Sequence, residues 1–188
     1  MASIAERAAS MTISVVSPDN QIRGVLKGGF TNPQLQFRPG CYPYYDERTL
    51  EHQLASLAKL MYTGYQRGYN QIIDEAGGTR TVDPRMAGSI ADIGYLTELR
   101  QLTVQGASRD NIVRVRSLAL MDWKVRIADG TVQAVEEERF LQYALEAART
   151  VVQEFQYERI ALVDEYYGLG NPEFTAYRKK RQAAEQAN

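Results

Sequence analysis

Two pairs of adjacent carboxylates come nearest to a catalytic arrangement in this chain. Asp74-Glu75 lies in "YNQIIDEAGG" (69–78) and Asp164-Glu165 lies in "RIALVDEYYG" (159–168). Two carboxylates that face each other could divide acid and base roles. Each pair, however, ends a helical pattern, and adjacent residues on a helix point in different directions, so neither pair forms a two-carboxylate site alone. We expect neither catalysis nor metal binding there.

The other candidates for chemistry are isolated. His52 is the only histidine, and no cysteine lies near it in sequence to share a metal ion. Cys41 has no candidate base nearby in sequence, which argues against a nucleophilic role. "KGGF" and "AGG" lack the spacing and the Lys-Ser/Thr ending of a phosphate-binding loop. The sequence therefore predicts a protein that is not an enzyme and has no cofactor and no metal.

Composition and charge are those of an ordinary globular protein. The 188 residues are 44% hydrophobic and 24% charged, with a formal net charge of −1, so a globally basic nucleic-acid binder is not indicated. A single cysteine fits a reducing compartment. No apolar run approaches the roughly 18 residues that a membrane-spanning helix needs, and Glu6 and Arg7 argue against an export signal. We predict a cytoplasmic protein without membrane contact.

The two carboxylate pairs are ninety positions apart, and the chain matches itself at that offset without a gap over 22–78. Any two amphipathic helices can be placed in register, and only about one position in six is identical. Turn residues also match, however, because Gly40 aligns with Gly130, and apolar helix positions such as Leu50 and Phe140 stay in step. Helix periodicity does not align turn glycines, so we predict an internal duplication.

Each repeat is predicted to be a small antiparallel meander followed by a long helix. Turn residues separate four strands in each unit, at 12–16, 21–27, 33–37 and 41–45 and at 100–104, 111–117, 123–127 and 131–135. Asp46 is the predicted N-cap of the first long helix, and Glu136, Glu137 and Glu138 begin the second. A helix of about 30 residues is roughly 45 Å long. Its distal half must therefore pack on the other unit or on a second copy.

A leading helix precedes each meander in this interpretation. Asp83 as N-cap and Pro84 at the first helical position predict a helix over 84–98, and "MASIAERAAS" (1–10) is its shortened counterpart. The predicted domains are unit 1 at 1–78, unit 2 at 79–168 and a basic helical tail at 169–188. The fold class is α+β, with two tandem units packed as an intrachain pseudo-dimer.

This order of elements, with "VVSPDNQI" and "DERTLEHQLASLAKLMYTGYQRG", resembles the YbaB/EbfC-like family. The run from "SPDN" to "LASLAKL" is most similar to actinobacterial members associated with type VII (ESX) secretion. The resemblance covers 12–75 directly and reaches 84–165 through the internal repeat. It implies paired units that combine long helices and sheets, no catalytic residues, and either nucleoid-type DNA binding or chaperone-like accessory work.

Two groups of residues are candidate binding sites. Gly64 and Gly68 are spaced to lie on one helix face, where another backbone could approach, and three tyrosines surround them: Tyr62, Tyr65 and Tyr69. Two interpretations stay open, a crossing within the fold and a groove for a partner helix. The tail carries four consecutive cations, Arg178, Lys179, Lys180 and Arg181, which could hold phosphates or form a solvated helix.

The expected function is non-enzymatic. The first hypothesis is a protein-binding or chaperone-like accessory protein, associated with type VII secretion. The alternatives are a nucleoid-associated DNA-binding protein that uses the basic tail, and a structural subunit of a homo-oligomer or larger assembly, since tyrosines are enriched at interfaces.

Overall fold

A computed structural model of the chain describes residues 3–30, 32–78, 87–174 and 176–177. It shows an α+β fold with two three-stranded antiparallel sheets. The first unit contains α1 (Ile4–Ser10), β1 (Thr12–Val16), β2 (Ile22–Lys27), β3 (Pro33–Phe37), a 3-10 helix (Tyr42–Tyr44) and α2 (Glu47–Glu75). The second contains α3 (Ile90–Gln101), β4 (Thr103–Ala107), β5 (Val113–Leu118), β6 (Asp122–Ile127), α4 (Thr131–Ala134) and α5 (Glu137–Tyr167). The two units therefore share one order of elements.

The predicted long helices are confirmed. They contain 29 residues in α2 and 31 in α5. The Asp46 carboxylate accepts the backbone N–H of Thr49 at 2.8 Å, as expected of an N-cap. Glu136 occupies the equivalent position without a side-chain cap hydrogen bond, and the acidic residues that follow favour this helix end through the dipole.

The fourth strand predicted in each unit is wrong. Residues 42–44 form the 3-10 helix, and α4 occupies most of 131–135. The Pro39-Gly40 turn has the predicted form, with Gly40 at φ 76° and the Cys41 N–H donating to Arg38 O at 3.1 Å. The N–H groups that follow continue such local bonds instead of joining a ladder, and Pro43 has no N–H to contribute.

The boundaries at the start of the second unit also differ from the prediction. The leading helix is α3, which begins after the N-cap Ser89 and ends later than the predicted 84–98. Asp83 and Pro84 lie outside the described residues. Because α3 includes residues that were assigned to a strand at 100–104, β4 begins at Thr103 and continues into the predicted turn.

The first hairpin turns of the two units have the same structure. Their sequences are S-P-D-N (17–20) and S-R-D-N (108–111), one position further apart than the ninety used to align the chain. In each turn the serine hydroxyl accepts the N–H of the first residue of the next strand. The asparagine is left-handed in both, with φ 61° at Asn20 and 56° at Asn111. An alignment at a constant offset of ninety does not show this match. The paired residues Ile22 and Phe37 of the first unit are 15 positions apart, whereas Val113 and Ile127 of the second are 14 apart, so the offset changes by one between these strands.

The long helices connect the two units reciprocally. α2 packs on β1 and β2 of its own sheet and on β6 of the other, while α5 packs on β4, β5 and β3. Two carboxylates of α2 extend this contact, because Glu47 accepts the N–H of Val132 at 3.0 Å and Glu51 accepts that of Ile127 at 2.8 Å. Both units contribute to one buried core. A pseudo-dimer would have such contacts, but its origin in a duplication stays a prediction.

Asp19 connects the first hairpin turn to the start of α2. Its carboxylate accepts hydrogen bonds from the Ser17 hydroxyl and the Tyr45 hydroxyl, both at 2.5 Å, and from the Gln21 N–H at 3.1 Å. Burial alone would raise the pKa of Asp19, but these hydrogen bonds outweigh it and hold the pKa below its usual value. The ionised form is therefore favoured in the folded protein.

The Asp19 carboxylate should make the stability of the wild type depend on pH, and replacing it should remove that contribution. We expect Asp19→Asn to lower the free energy of unfolding by about 1 kcal/mol at pH 7, since the charged acceptor is lost. A lowered folded-state pKa gives stability that is present above the unfolded pKa and is lost as pH falls through the folded value. Urea unfolding at pH 7 and pH 3 should show the gap between wild type and variant narrowing. Asp110→Asn, in the equivalent and exposed turn position, is the control and should change little; equal losses in both variants would contradict this account.

Candidate functional site

The carboxylate pairs serve structural contacts. Glu75 pairs with Arg7 of α1, and hydrogen bonds from Gln71 and Arg7 lower the pKa of Glu75. Asp164 is buried and accepts the N–H of Asn171 at 2.8 Å, which ties the chain after α5 back onto that helix. Within the described parts of the chain, no group of three or more His, Cys, Asp or Glu side chains could hold a metal ion.

Cys41 is half-buried. Its thiol donates a hydrogen bond to the carbonyl of Gln21 at 3.6 Å, and burial raises the pKa of the Cys41 thiol. A raised pKa leaves less thiolate at neutral pH, which disfavours nucleophilic chemistry.

Gly64 and Gly68 face the chain's own first strand. A Cβ atom at Gly64 would lie 2.8 Å from Cγ2 of Ile13, and one at Gly68 would overlap Sδ of Met11. The two glycines therefore allow β1 and the residue before it to cross α2 closely. This arrangement matches the crossing within the fold that the sequence left open, and it places no open groove at these glycines.

The surrounding tyrosines are also engaged inside the chain. Phe30 packs edge-on against Tyr62 with ring centroids 5.2 Å apart, and it contacts Tyr65 at 5.8 Å. Tyr65 stacks on Tyr69 at 6.0 Å. Burial raises the pKa of both Tyr62 and Tyr65. These rings are half-buried, so a partner would meet only their remaining exposed parts.

The four cations of the tail, Arg178, Lys179, Lys180 and Arg181, lie outside the described residues. The start of the tail is described and is helical at 172–174, where the Glu173 N–H donates to Oδ1 of Asn171 at 3.0 Å. The Tyr177 hydroxyl donates to the buried Glu158 at 2.6 Å, and its ring contacts Tyr157. The beginning of the tail thus packs on α5.

A cluster of cations covers the outer face of the second sheet. In β5 and β6 buried and exposed residues alternate, and the helices cover the buried side. The exposed positions are Arg114, Arg116 and Leu118 on β5 and Asp122, Lys124 and Arg126 on β6, and we call the four cations among them the basic face. Arg114 is the cross-strand partner of Arg126, and Arg116 is that of Lys124. Partners lie about 5 Å apart and successive same-face residues about 6.7 Å apart, so the cations form a compact two-by-two array.

This array is only partly neutralised. Arg126 forms an ion pair with Glu51 at 2.8 Å, whereas Arg114, Arg116 and Lys124 form no ion pair in the part of the chain that is described. Like charges directly opposite each other destabilise a sheet. Both cross-strand pairs incur that cost, which an anionic ligand would offset. The basic face can therefore bind an extended anion.

The sequence contains a signal for this face in the spacing of its cations. Cations recur at every second position in "VRVRS" and "WKVRI", the spacing that places residues on one side of a strand. A run of adjacent cations in the tail is easier to notice. Alternating cations form a charged surface only when the pairing register places two such strands side by side. The net charge of the whole chain does not reveal such a local surface.

Comparison with known proteins leaves the family assignment a prediction. A scan against protein-family models and searches of curated proteins and of solved structures give no match for this chain. Among the described helices none is both long and apolar enough to cross a membrane.

Proposed function

We propose that this chain is a non-enzymatic protein that binds duplex nucleic acid through its phosphate backbone. The basic face is the observation that carries the proposal. B-DNA carries one negative charge per about 1.7 Å of its axis, and cations that contact phosphates gain affinity by releasing condensed counterions. An array of exposed Arg and Lys side chains on a rigid sheet offers several such contacts at once.

The composition of the basic face favours a duplex over a single strand. Proteins that bind single strands commonly stack bases on aromatic side chains. The central positions of this face hold cations, and its neighbours on β4 are Gln105 and Ala107. Without aromatic residues there, contacts to phosphates dominate, and these carry no sequence information. We expect binding that depends weakly on sequence and strongly on salt.

Fluorescence anisotropy of a labelled duplex, titrated at several salt concentrations, tests this proposal. The variant Arg114→Ala/Arg116→Ala/Lys124→Ala removes three unpaired cations and leaves the Arg126–Glu51 ion pair intact. If each cation contacts a phosphate, the slope of log K against log salt should become shallower by about 2.7, and affinity at low salt should fall at least about tenfold.

The matched control removes four cations elsewhere, at Arg178, Lys179, Lys180 and Arg181. If the basic face is the site, this control should keep most of the affinity. Loss of binding in the tail variant alone would move the site to the tail. Undiminished binding by the sheet variant, or no binding by the wild type at low salt, would refute the proposal.

A protein-binding accessory role is the second candidate. Large apolar side chains are exposed near the junction of α3 and α5, with Ile90 89% and Leu169 67% exposed, and such surfaces mark interaction sites when they are contiguous. This role, including one in type VII secretion, becomes the leading proposal if the wild type does not bind the duplex.

A further inference from the structure

The two sheets have equivalent outer faces that carry different charges. The structural equivalence is set by register, since Ile22 pairs with Phe37 in the first sheet and Val113 with Ile127 in the second. Counting outward from these pairs, the positions that correspond to the basic face in the first unit are Arg23, Val25, Gln34 and Gln36.

In its central rows the equivalent face of the first sheet carries one cation, Arg23, where the second sheet carries four. Arg23 pairs with Gln36 and Val25 pairs with Gln34, where the second sheet has two pairs of cations. The Arg23 guanidinium also donates to the Ser14 hydroxyl at 3.1 Å. Lys27 adds a cation at the end of β2, next to the exposed Thr12, whereas the corresponding row of the second sheet holds Leu118 and the anionic Asp122. This face is polar but has no array that could engage several phosphates.

We infer that only the second of the two sheets binds a polyanion, so that the sheets of one monomer hold one duplex and do not bridge two. The inference rests on the proposed function. A chain with two equivalent faces would be bivalent if both were basic, and a bivalent binder can join two duplexes with high avidity. Here Val25, Gln34 and Gln36 remove the second site while leaving the sheet intact.

A two-duplex capture assay tests this inference. One duplex is fixed to beads, protein is bound at low salt, and a second, fluorescent duplex is added. The oligomeric state is measured by sedimentation at the same concentration, because a dimer would bridge for a different reason. The wild-type monomer should bind the fixed duplex and capture no second one.

A grafted variant supplies the positive case. Val25→Arg/Gln34→Lys/Gln36→Arg copies the second sheet's cations onto the first, and we expect it to capture the second duplex at least about tenfold more than the wild type. Gln101→Arg/Gln133→Lys/Gln153→Arg adds the same charges at exposed helix positions as the control, and should not bridge.

The outcomes separate this inference from the proposed function. Failure of the wild type to bind the fixed duplex overturns both. Two results overturn only the inference about the two sheets. One is capture of the second duplex by a monomeric wild type. The other is a loss of affinity for the first duplex in Arg23→Ala/Lys27→Ala that equals the loss in Arg114→Ala/Arg116→Ala/Lys124→Ala. A graft that binds no second duplex overturns the claim that these three positions set the valency.

Discussion

Replacing Phe140 with Ala should lower the free energy of unfolding by about 3–5 kcal/mol, the range for large aromatic truncations in a core. Phe140 lies in the first turn of the second long helix, α5, and is 0% exposed. Its ring lies 5.3 Å from that of Tyr42 and 6.2 Å from that of Phe37, both in the first unit. The cavity therefore opens between the two units, and both should lose stability together.

Urea unfolding followed by far-UV circular dichroism and by the fluorescence of Trp123 measures this effect. The two signals should move together to lower urea with an unchanged slope, as for one cooperative transition. Tyr44→Ala is the control, because Tyr44 belongs to the adjacent 3-10 helix and is 90% exposed; its effect should stay within about 0.5 kcal/mol. Separate transitions for the two signals, or a loss below about 1 kcal/mol, would mean that the units do not share a cooperative core.

The sequence predicts the helices of this fold well because their periodicity is long. The apolar positions 50, 54, 57 and 61 repeat over about three turns, and all are buried. Short elements carry less information. Residues 41–45 and 131–135 contain β-forming residues in runs that are too short to exclude a helical turn. What decides between the two is where the backbone N–H groups find acceptors, and the sequence does not show this.

The candidate site was harder to predict than the fold. Gly64 and Gly68 suggested a close approach correctly, but their neighbours are Ile13 and Met11, which are far away in sequence. The basic face needs the pairing of two strands before its cations become neighbours. Both cases depend on tertiary contacts, so spacing along the chain could indicate only that a contact or a charged surface exists.

At Gly106 a single added methyl group should lower the free energy of unfolding by an unusually large amount for so small a change. A Cβ atom there would lie 2.6 Å from the carbonyl oxygen of Ala147 and 2.8 Å from the nitrogen of Val151, both backbone atoms of α5. Since the helix backbone cannot rotate away, β4 and α5 must separate. We expect Gly106→Ala to lower the free energy of unfolding by about 2–3 kcal/mol, measured by urea denaturation.

Gly24→Ala provides the matched comparison. Gly24 is also in a strand under a long helix, and its added Cβ would lie at the same distance of 2.6 Å, but from the thioether sulfur of Met61. A flexible methionine can change rotamer, and alanine is favoured over glycine within a strand by about 0.5–1 kcal/mol, so the net loss should stay below about 1 kcal/mol. Equal losses at both positions would show that the α5 backbone adapts as readily as a side chain. The sequence predicts a turn at Gly106, but the structure places it in β4 against α5. A glycine required for close helix packing cannot be distinguished by sequence from one required in a turn, and only the tertiary contact separates the two cases.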